Sequence, residues 1–530
     1  MDQTTTTLSR YYDSVPYESH PFPQSTPEHL EALAFLFGLA TPDPAGARVL
    51  ELGCASGGNL IPFAARSPSA TAVGIDLSSV QVDQGLAAIR AAGLKNIELR
   101  AMDVTDIDLS FGQFDYIICH GVFSWVPSDV QDAILRICEQ NLVPGGIAYI
   151  SYNTYPGWKA REIVRDAMVL RGAPRDEPGE KLSYARGMLD FLERSSRPDS
   201  VLRKTLEETM PIVRGASSAY LLHEFLEPCN SPCYFKSFVE RAASHGLAYL
   251  ADAEPATMFV QNYGESVREP LLRECGGSQV MMEQYLDFLV NRTFRQSLLV
   301  KQARAAEVRY RLSVDRLRAL WYAGQFATLD GSPLSLDTAE QTCNTIRGHQ
   351  VTLRLPVHKA VAQILEERFP AAVPVDLLIE DAARRVGQPA ASIDAHVMAM
   401  LEELVILGAV RFRHTAPETA VEVPMFPMAL RSVRVAPSIP LTAGPSAAAC
   451  NQWHEAVELS LLERCLLPLL DGSRSHANLA AHLAAEAKAE RLRFIKDDKP
   501  LTDETGLGEF TRKQVELALR DLWRKGLLTA

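Results

Sequence analysis

Paired cysteines, long apolar runs, excess basic charge and aromatics are all scarce in this 530-residue chain, and each scarcity removes a class of protein. Its 9 cysteines are odd in number and scattered from Cys54 to Cys465. That is no disulfide framework, so a reducing compartment and a cytoplasmic protein are expected. The one close pair, Cys229 and Cys233, has CxxxC spacing without a second pair or a clustered histidine, so buried thiols and no metal are expected there. The first residues, MDQTTTTLSRYYDSVPYESHPF, are polar, and the longest uncharged stretches contain Pro, Gly, Asn and Ser, so neither export nor a membrane span is encoded. With 65 acidic against 53 basic residues, the formal charge of -12 offers nucleic acid or an anionic membrane no global attraction. What remains, 47% apolar and 22% charged, is an ordinary globular composition that excludes disorder and collagen-like repeats. At about 150 residues per domain the length predicts three or four domains.

Between Ala47 and Ser151, short apolar runs alternate with amphipathic stretches, as in a parallel sheet wrapped by helices. Strands are predicted at 47–52, 71–76, 96–102, 114–119 and 146–151, with helices at about 58–66, 78–92 and 127–140 and an earlier one beginning at Pro27. This is an α/β, doubly wound Rossmann-like sheet, expected over 1–160. After Lys159 the period turns helical, through REIVRDAMVL, KLSYARGMLDFLERS and VLRKTLEETMPIVRG, with no strand predicted to extend the sheet, so a helical middle domain is expected over 161–310. The rest holds a weak internal repeat in which a helix runs into a Gly turn, MLEELVILGAVRF against LRDLWRKGLLT. Two winged-helix-like units are expected, within 311–435 and 450–530, with VAPSIPLTAGPSAAA as a linker. Such units often read DNA, but the helix SIDAHVMAMLEELVI has no Lys or Arg for phosphates, so protein docking or dimerisation is favoured and no nucleic acid is expected.

The run VLELGCASGGN sets Glu51, Gly53, Ala55, Gly57, Gly58 and Asn59 at the end of the first strand, a nucleotide-binding turn whose glycines let the backbone approach a ligand and whose helix N-terminus offers free N–H groups. Gly53, Ala55 and Gly58 also satisfy the dinucleotide fingerprint GxGxxG/A, and Asp76, ending the second strand, holds a ribose in either reading. Four features separate the two. Glu51 is an acid where a dinucleotide fold keeps an apolar residue, and it can hold an amino acid ammonium. Met102 and Asp103 end the third strand and can embrace an adenine. His120 and Gly121 follow the fourth strand, and Pro144-Gly145-Gly146 turns into the fifth. Alone, Gly57 and Gly58 also read as helix-packing glycines, and Asp76 and Asp103 as helix caps. Their joint placement favours the ligand.

Together these residues resemble the motif series of class I S-adenosylmethionine-dependent methyltransferases over about 26–151, departing from it at Ala55, where the series has Gly. The resemblance implies S-adenosylmethionine as cofactor, with Glu51, Gly53, Ala55, Gly57, Asn59, Asp76, Leu77, Met102, Asp103, Val104, His120 and Gly121 around it.

A second constellation, HGVFSWVP after strand four and SYNTYPGW after strand five, overhangs the same edge. His120, Phe123, Trp125, Tyr152, Asn153, Tyr155 and Trp158 are placed to enclose an acceptor, and aromatic walls suit an alkylammonium. For Phe123 and Trp158 a core position and a site position read equally well, whereas Asn153 and Tyr155 lean towards the site. His223-Glu224 with Glu227 is HExxE rather than HExxH, which removes a zinc protease. Tyr220, His223 and Glu224 instead share one helix able to close over the acceptor or bind the substrate, although from position alone a helix surface or interdomain contact is the plainer reading.

With YYDSVPYESHPF, YLLHEFLEPCNSPCYFKSF and FLVNRTFRQSLL added, nearly the whole chain resembles the bacterial methyltransferases that carry a methyltransferase regulatory domain, which include rickettsial protein-lysine methyltransferases acting on outer-membrane proteins. The resemblance implies N-methylation of lysine in a protein substrate, such as an outer-membrane or surface protein before export, with no membrane partner and a homodimer among the expectations. In that chemistry Asn153 and Tyr155 orient the amine, Trp125 shapes the pocket, and Tyr155 or His120 helps remove a proton held with a reference pKa of about 10.4. A small-molecule methyltransferase and a non-enzymatic cofactor-sensing regulator are the alternatives.

Overall fold

The computed structural model describes residues 19–175, 177–435, 448–496, 499–500 and 504–529. Most of the expected linker, 436–447, and the start of the N-terminal segment, 1–18, lie outside the described residues. Five strands form where apolar runs meet turn residues: β1 (Arg48–Leu52), β2 (Thr71–Asp76), β3 (Ile97–Ala101), β4 (Phe114–Cys119) and β5 (Leu142–Tyr155). They pair in parallel in the order β3-β2-β1-β4-β5. The order reverses between β1 and β4, which opens a crevice at their carboxyl ends. Alternate residues serve opposite faces: Val49, Ile118 and Tyr149 join one core, Leu50, Ile117 and Ile150 the other.

The sheet does not stop at β5. Although no strand was expected to extend it after Lys159, β6 (Cys233–Tyr234), β7 (Leu247–Asp252) and β8 (Phe294–Lys301) do so. β8 runs antiparallel along β5 from Ala148↔Leu299 to Asn153↔Phe294, β7 pairs antiparallel with β8, and β6 lies parallel to the end of β5. These strands escape sequence reading because LAYLAD and RQSLLVK are rich in Leu and Ala rather than β-branched residues. Every position of β7 is buried, which erases the alternation that marks a half-exposed strand. The helix Gln279–Leu289 is cut from β8 by a turn at Asn291, whose φ is 50°. The rest of the middle region is helical as expected: Gly157–Gly172, Pro178–Ser195, Val201–Gly215 and Ser218–Phe225 share a core of Val164, Met168, Leu189, Leu206 and Phe225.

Both C-terminal units adopt the expected helix-rich form. The first has helices Pro356–Arg368, Val375–Val386 and Ala390–Leu407, and the second has Leu461–Leu466, His476–Lys488 and Glu504–Arg524. The last helix of each stops at the glycine the repeat picked out, Gly408 or Gly526. The helix Ala390–Leu407 buries Ile393, Val397, Leu401 and Val405, and its end meets the 255–263 turns, where Asn262 Nδ2 donates to Ile406 O at 2.7 Å. His414 Nδ1 lies 2.5 Å from Glu31 Oε1, so this unit also sits on the first helix of the sheet region. Among the described residues no helix is long and apolar enough to cross a membrane.

The extended edge is fastened by buried charge. Arg295 of β8 is fully enclosed, forked onto Asp287 (2.8 Å from Nε and from Nη2), bonded to Glu283 Oε2 at 2.7 Å and laid over the Phe235 ring at 3.8 Å. Arg292 adds a third bond to Asp287, and Tyr249 of β7 donates to Glu283. Burial raises the pKa of neighbouring Asp252 to about 6 against the pull of Arg295. Replacing Arg295 with Met strands the buried acids, so we expect a loss of about 3–5 kcal/mol, read as a lower unfolding midpoint. Arg295→Lys keeps the charge without the fork and should lose less.

Candidate active site

The loop after β1 is held in shape by backbone conformation and by Asp76. Gly53 has φ of 76°, and a Cβ there would stand 2.3 Å from Val122 Cγ2. Ala55 adopts φ of 48°, a left-handed conformation costing an L residue about 1–2 kcal/mol. Its N–H donates to Asp76 Oδ2 at 2.8 Å, while Asp76 Oδ1 accepts from Ser78 N at 2.9 Å. Asp76 thus clamps the loop as well as lining the space beside it.

That space is a cavity of about 480 Å³ at the carboxyl ends of the strands, well within the size range of small-molecule sites. At the β1 end Glu51 is buried. Its Oε1 accepts from Asn59 Nδ2 at 2.8 Å, whereas Oε2 is buried with no hydrogen-bond partner. Burial, reinforced by the charge of Asp76, raises the Glu51 pKa to about 8 despite the Asn59 bond. An orphaned buried carboxylate oxygen beside a cavity fits a cationic ligand group, since such an atom otherwise loses its hydration without return. Leu77, Met102, Asp103 and Val104 line the neighbouring wall at the ends of β2 and β3. Asp103 Oδ1 also caps the turn that follows, accepting from Thr105 N at 2.9 Å, so cap and cavity wall coexist in one residue.

His120 and Gly121 lie past β4, and Gly121 N donates to Ser151 Oγ at 2.7 Å. The His120 ring packs on Phe22 with centroids 3.8 Å apart. Tyr149 donates its hydroxyl proton to Gln296 Oε1 at 2.7 Å, so the bond between its oxygen and His120 Nδ1, at 2.8 Å, is donated by the imidazole. This network assigns the proton to Nδ1 and leaves Nε2 as the acceptor. Burial lowers the His120 pKa to about 3, which keeps the ring neutral.

Beyond β4 and β5 the lining changes character. Trp125 and Trp158 meet edge to face, with centroids 6.1 Å apart, and Arg161 lies over Trp158. Asn153 donates through Nδ2 to Asn230 Oδ1 at 3.0 Å, leaving its own Oδ1 as an acceptor. The helix Ser218–Phe225 brings Tyr220, His223 and Glu224 to the same cavity, followed by Glu227. Burial raises the Glu224 pKa to about 7, against the charge of Arg161. Both carboxylate oxygens of Glu227 are buried without a hydrogen-bond partner, with the nearer 3.7 Å from His223 Nδ1.

Four expected site residues stand outside the lining. Gly57 faces Ile61 and Leu99. Phe123 and Tyr152 are core, each packed on Phe238. Tyr155 donates to Glu162 Oε1 at 2.6 Å with Lys159 over its ring; burial raises its pKa, so it stands outside the cavity and stays protonated. Strand alternation separates Tyr152 from Asn153 in β5, whereas Phe123 and Trp125 are divided by the helical turn that follows β4 and Tyr155 is drawn away by Glu162 at the end of the strand. The structure adds Ser19, His20 and Phe22 from the N-terminal arm, Arg161, Glu227, and Thr293 and Phe294 at the start of β8. Glu227 carried a signal, its i+4 spacing from His223. The arm and β8 carried none beyond the resemblance, because sequence does not show which distant segment closes a crevice.

This doubly wound sheet, with a glycine turn after β1 and acids at the ends of β1, β2 and β3, defines a class I S-adenosylmethionine-dependent methyltransferase. Three family models match: a methyltransferase domain over 49–146, a predicted methyltransferase regulatory domain over 217–301, and a PKMT C-terminal winged helix domain over 427–527. Two Rickettsia prowazekii proteins, RP789 and RP028, are 45% identical over 292 residues and 39% over 235, covering 54% and 44% of this chain. The match spans 52% of the first relative's length and 93% of the second's. PKMT2 from Rickettsia typhi superposes with a TM-score of 0.87 at 26% identity over 97% of this chain and 100% of its own, and its structure in complex with AdoHcy gives 0.84 at 27% over the same shares. The chain belongs to the rickettsial-type PKMT-like family of class I methyltransferases.

Gly53→Ala should lower stability by about 2 kcal/mol, because the added methyl meets Val122 in a left-handed conformation. Adding Val122→Ala should recover only the steric part, which unfolding midpoints of the two variants would separate.

Proposed function

We propose that the chain transfers a methyl group from S-adenosylmethionine to a lysine side chain of a protein substrate, an outer-membrane or surface protein met before export. One observation carries this reading: a single cavity joins the orphaned Glu51 carboxylate to an end lined by Trp125, Trp158, Glu224 and Glu227. The first end suits an amino acid ammonium, the second an alkylammonium on an apolar stem.

In this reading Glu51 holds the ammonium of the methionine moiety, Asp76 takes the ribose, and Met102, Asp103 and Val104 flank the adenine. The bound sulfonium supplies an electrophilic methyl carbon. Trp125 and Trp158 align the acceptor stem, and Asn153 Oδ1 accepts an N–H of the amine, fixing its lone pair toward the methyl. Glu224 takes the proton the ammonium must lose. The nitrogen lone pair then forms the new N–C bond as the C–S bond breaks, and the Glu224 proton leaves to solvent. A carboxyl titrating near 7 is matched to this task at neutral pH, whereas His120, with a pKa near 3, stays a neutral part of the wall.

Incubation with methyl-labelled S-adenosylmethionine and a bacterial extract, followed by acid hydrolysis of the protein fraction, should yield labelled methyl-lysine; label confined to small molecules would sink the lysine reading. Glu224→Gln should lower kcat about 100-fold and remove the rise of kcat with pH through 7. Cofactor affinity should climb as pH rises toward 8, at most about tenfold per unit, and then level. The sign follows from Glu51, which is largely protonated below its free-state value of about 8 and must ionise to pair with the ammonium. Glu51→Gln should bind weakly with no such slope, as measured by calorimetric titration.

A further inference from the structure

The amide of Asn59 is a junction. Its Oδ1 accepts from Phe22 N at 2.9 Å and lies 2.9 Å from His454 Nε2, while Nδ2 donates to Glu51 Oε1 at 2.8 Å and to Ser25 Oγ at 3.1 Å. A backbone N–H only donates, so the atom facing Phe22 N is the oxygen, and the amide is oriented with its nitrogen on Glu51. The same logic fixes His454: facing an acceptor, Nε2 carries the ring proton. Nδ1 is then a lone pair, buried with no partner.

His454 comes from the far end of the chain, on the hairpin loop 451–455 between the strands Ala448–Cys450 and Ala456–Glu458. The loop is tied from several sides. Asn451 Oδ1 accepts from Trp453 N and Glu455 N, Asn451 Nδ2 donates to Lys525 O, Gln452 N donates to Gly526 O, and Trp453 Nε1 donates to Pro370 O. At its tip His454 is 1% exposed and has φ of 64°, a left-handed conformation unfavourable to a histidine. Two unfavourable features, the strained backbone and the orphaned Nδ1, are therefore held in place for one contact, and that contact is Asn59. Strain kept by an over-determined loop beside a ligand site points to function.

We propose that His454 is a positioning residue of the cofactor site: through the Asn59 amide, the C-terminal winged-helix unit fixes the Glu51 carboxylate for the cofactor's ammonium group. The inference rests on the assignment of Glu51 to that ammonium. It also accounts for the arm, because Phe22, whose N–H shares the Asn59 oxygen, packs on His120 in the cavity wall. The charged groups around the junction are Asp76 beside Glu51, and Arg66 and Arg413 beside His454. Burial, with those two arginines, holds the His454 pKa well below the usual histidine value, so the ring stays a neutral donor across the physiological range.

The test is calorimetric titration of the full-length protein with S-adenosylhomocysteine from pH 6.5 to 8.5. His454→Asn keeps a residue tolerant of left-handed backbone but is too short to reach Asn59. Its Kd at pH 7 should rise about tenfold, the scale of one buried hydrogen bond. Its affinity rise should move to higher pH, because a Glu51 that loses its oriented Asn59 donor is harder to ionise. His454→Gln, which can place an amide N–H near the Nε2 position, should return the Kd to within about threefold of the parent and restore the pH profile. A purely structural role lowers the unfolding midpoint without moving that profile. If His454→Asn is not folded, His454→Gly, free of backbone strain, serves the same comparison. A parental Kd and pH profile in the Asn or Gly variant, alongside weak binding by Glu51→Gln, overturns the inference and leaves the cofactor assignment standing. Parental binding by Glu51→Gln overturns that assignment and the inference with it.

Discussion

Strand β5 is the constraint on which the remaining architecture depends. It is 14 residues long where β1 to β4 have 5 or 6. Its first half completes a parallel sheet against β4, and its second half is the platform for antiparallel β8 and the short β6. One strand therefore makes a single body of segments about 150 residues apart in sequence. It also sets the register of the site: Asn153 pairs with Phe294, and both line the cavity. A slip of one residue in this ladder would turn Asn153 from the cavity to the opposite face and leave the acceptor end without its acceptor atom.

The molecule uses buried carboxylates in two ways, and the difference is whether a cation answers them. Glu283 and Asp287 are as deeply enclosed as any acid in the fold, and Arg295 and Arg292 meet them. Glu51 and Glu227 are equally withdrawn from water, yet each keeps a carboxylate oxygen with no hydrogen-bond partner. Burying a charge without a partner is strongly unfavourable, so such a group is tolerated where a ligand supplies the missing cation or where it stays protonated until one arrives. The raised pKa of Glu51 is the signature of this second state. In the proposed reading, it is the cofactor's ammonium that draws the Glu51 proton off.

Sequence placed the residues at the β1–β4 end of the cavity well, for a physical reason. In a parallel sheet the ligand end is the carboxyl end of every strand, so Glu51, Asp76, Met102 and His120 could be placed as soon as the strands were found. The acceptor half was legible only in composition. Trp125, Asn153 and Trp158 reach the cavity, but their neighbours Phe123, Tyr152 and Tyr155 do not, and that choice depends on pleat and turn geometry that a list of aromatic residues does not encode. Strands β7 and β8 were hidden by their Leu and Ala content and by burial on both faces. The Asn59–His454 contact was hidden more completely, because no local pattern announces a hydrogen bond between residues 395 positions apart.

In the proposed reading, the division of labour within the cavity lets one sheet keep its cofactor chemistry while its acceptor varies. Glu51, Gly53, Asp76 and Asp103 sit at strand ends and in the clamped loop, where a change of side chain alters the sheet itself: Gly53 is pinned by Val122, and Asp76 holds the Ala55 backbone. Tyr220, His223 and Glu224 sit on the eight-residue helix Ser218–Phe225, which belongs to a helical core separate from either face of the sheet. Substitutions there reach the acceptor end through side chains alone and disturb no strand. Asn153 is the exception. It lies in β5 and faces the cavity beside Phe294 of β8, so its position follows the sheet. In the proposed reading it ties the geometry of whichever amine the helix admits to the position of the transferred methyl.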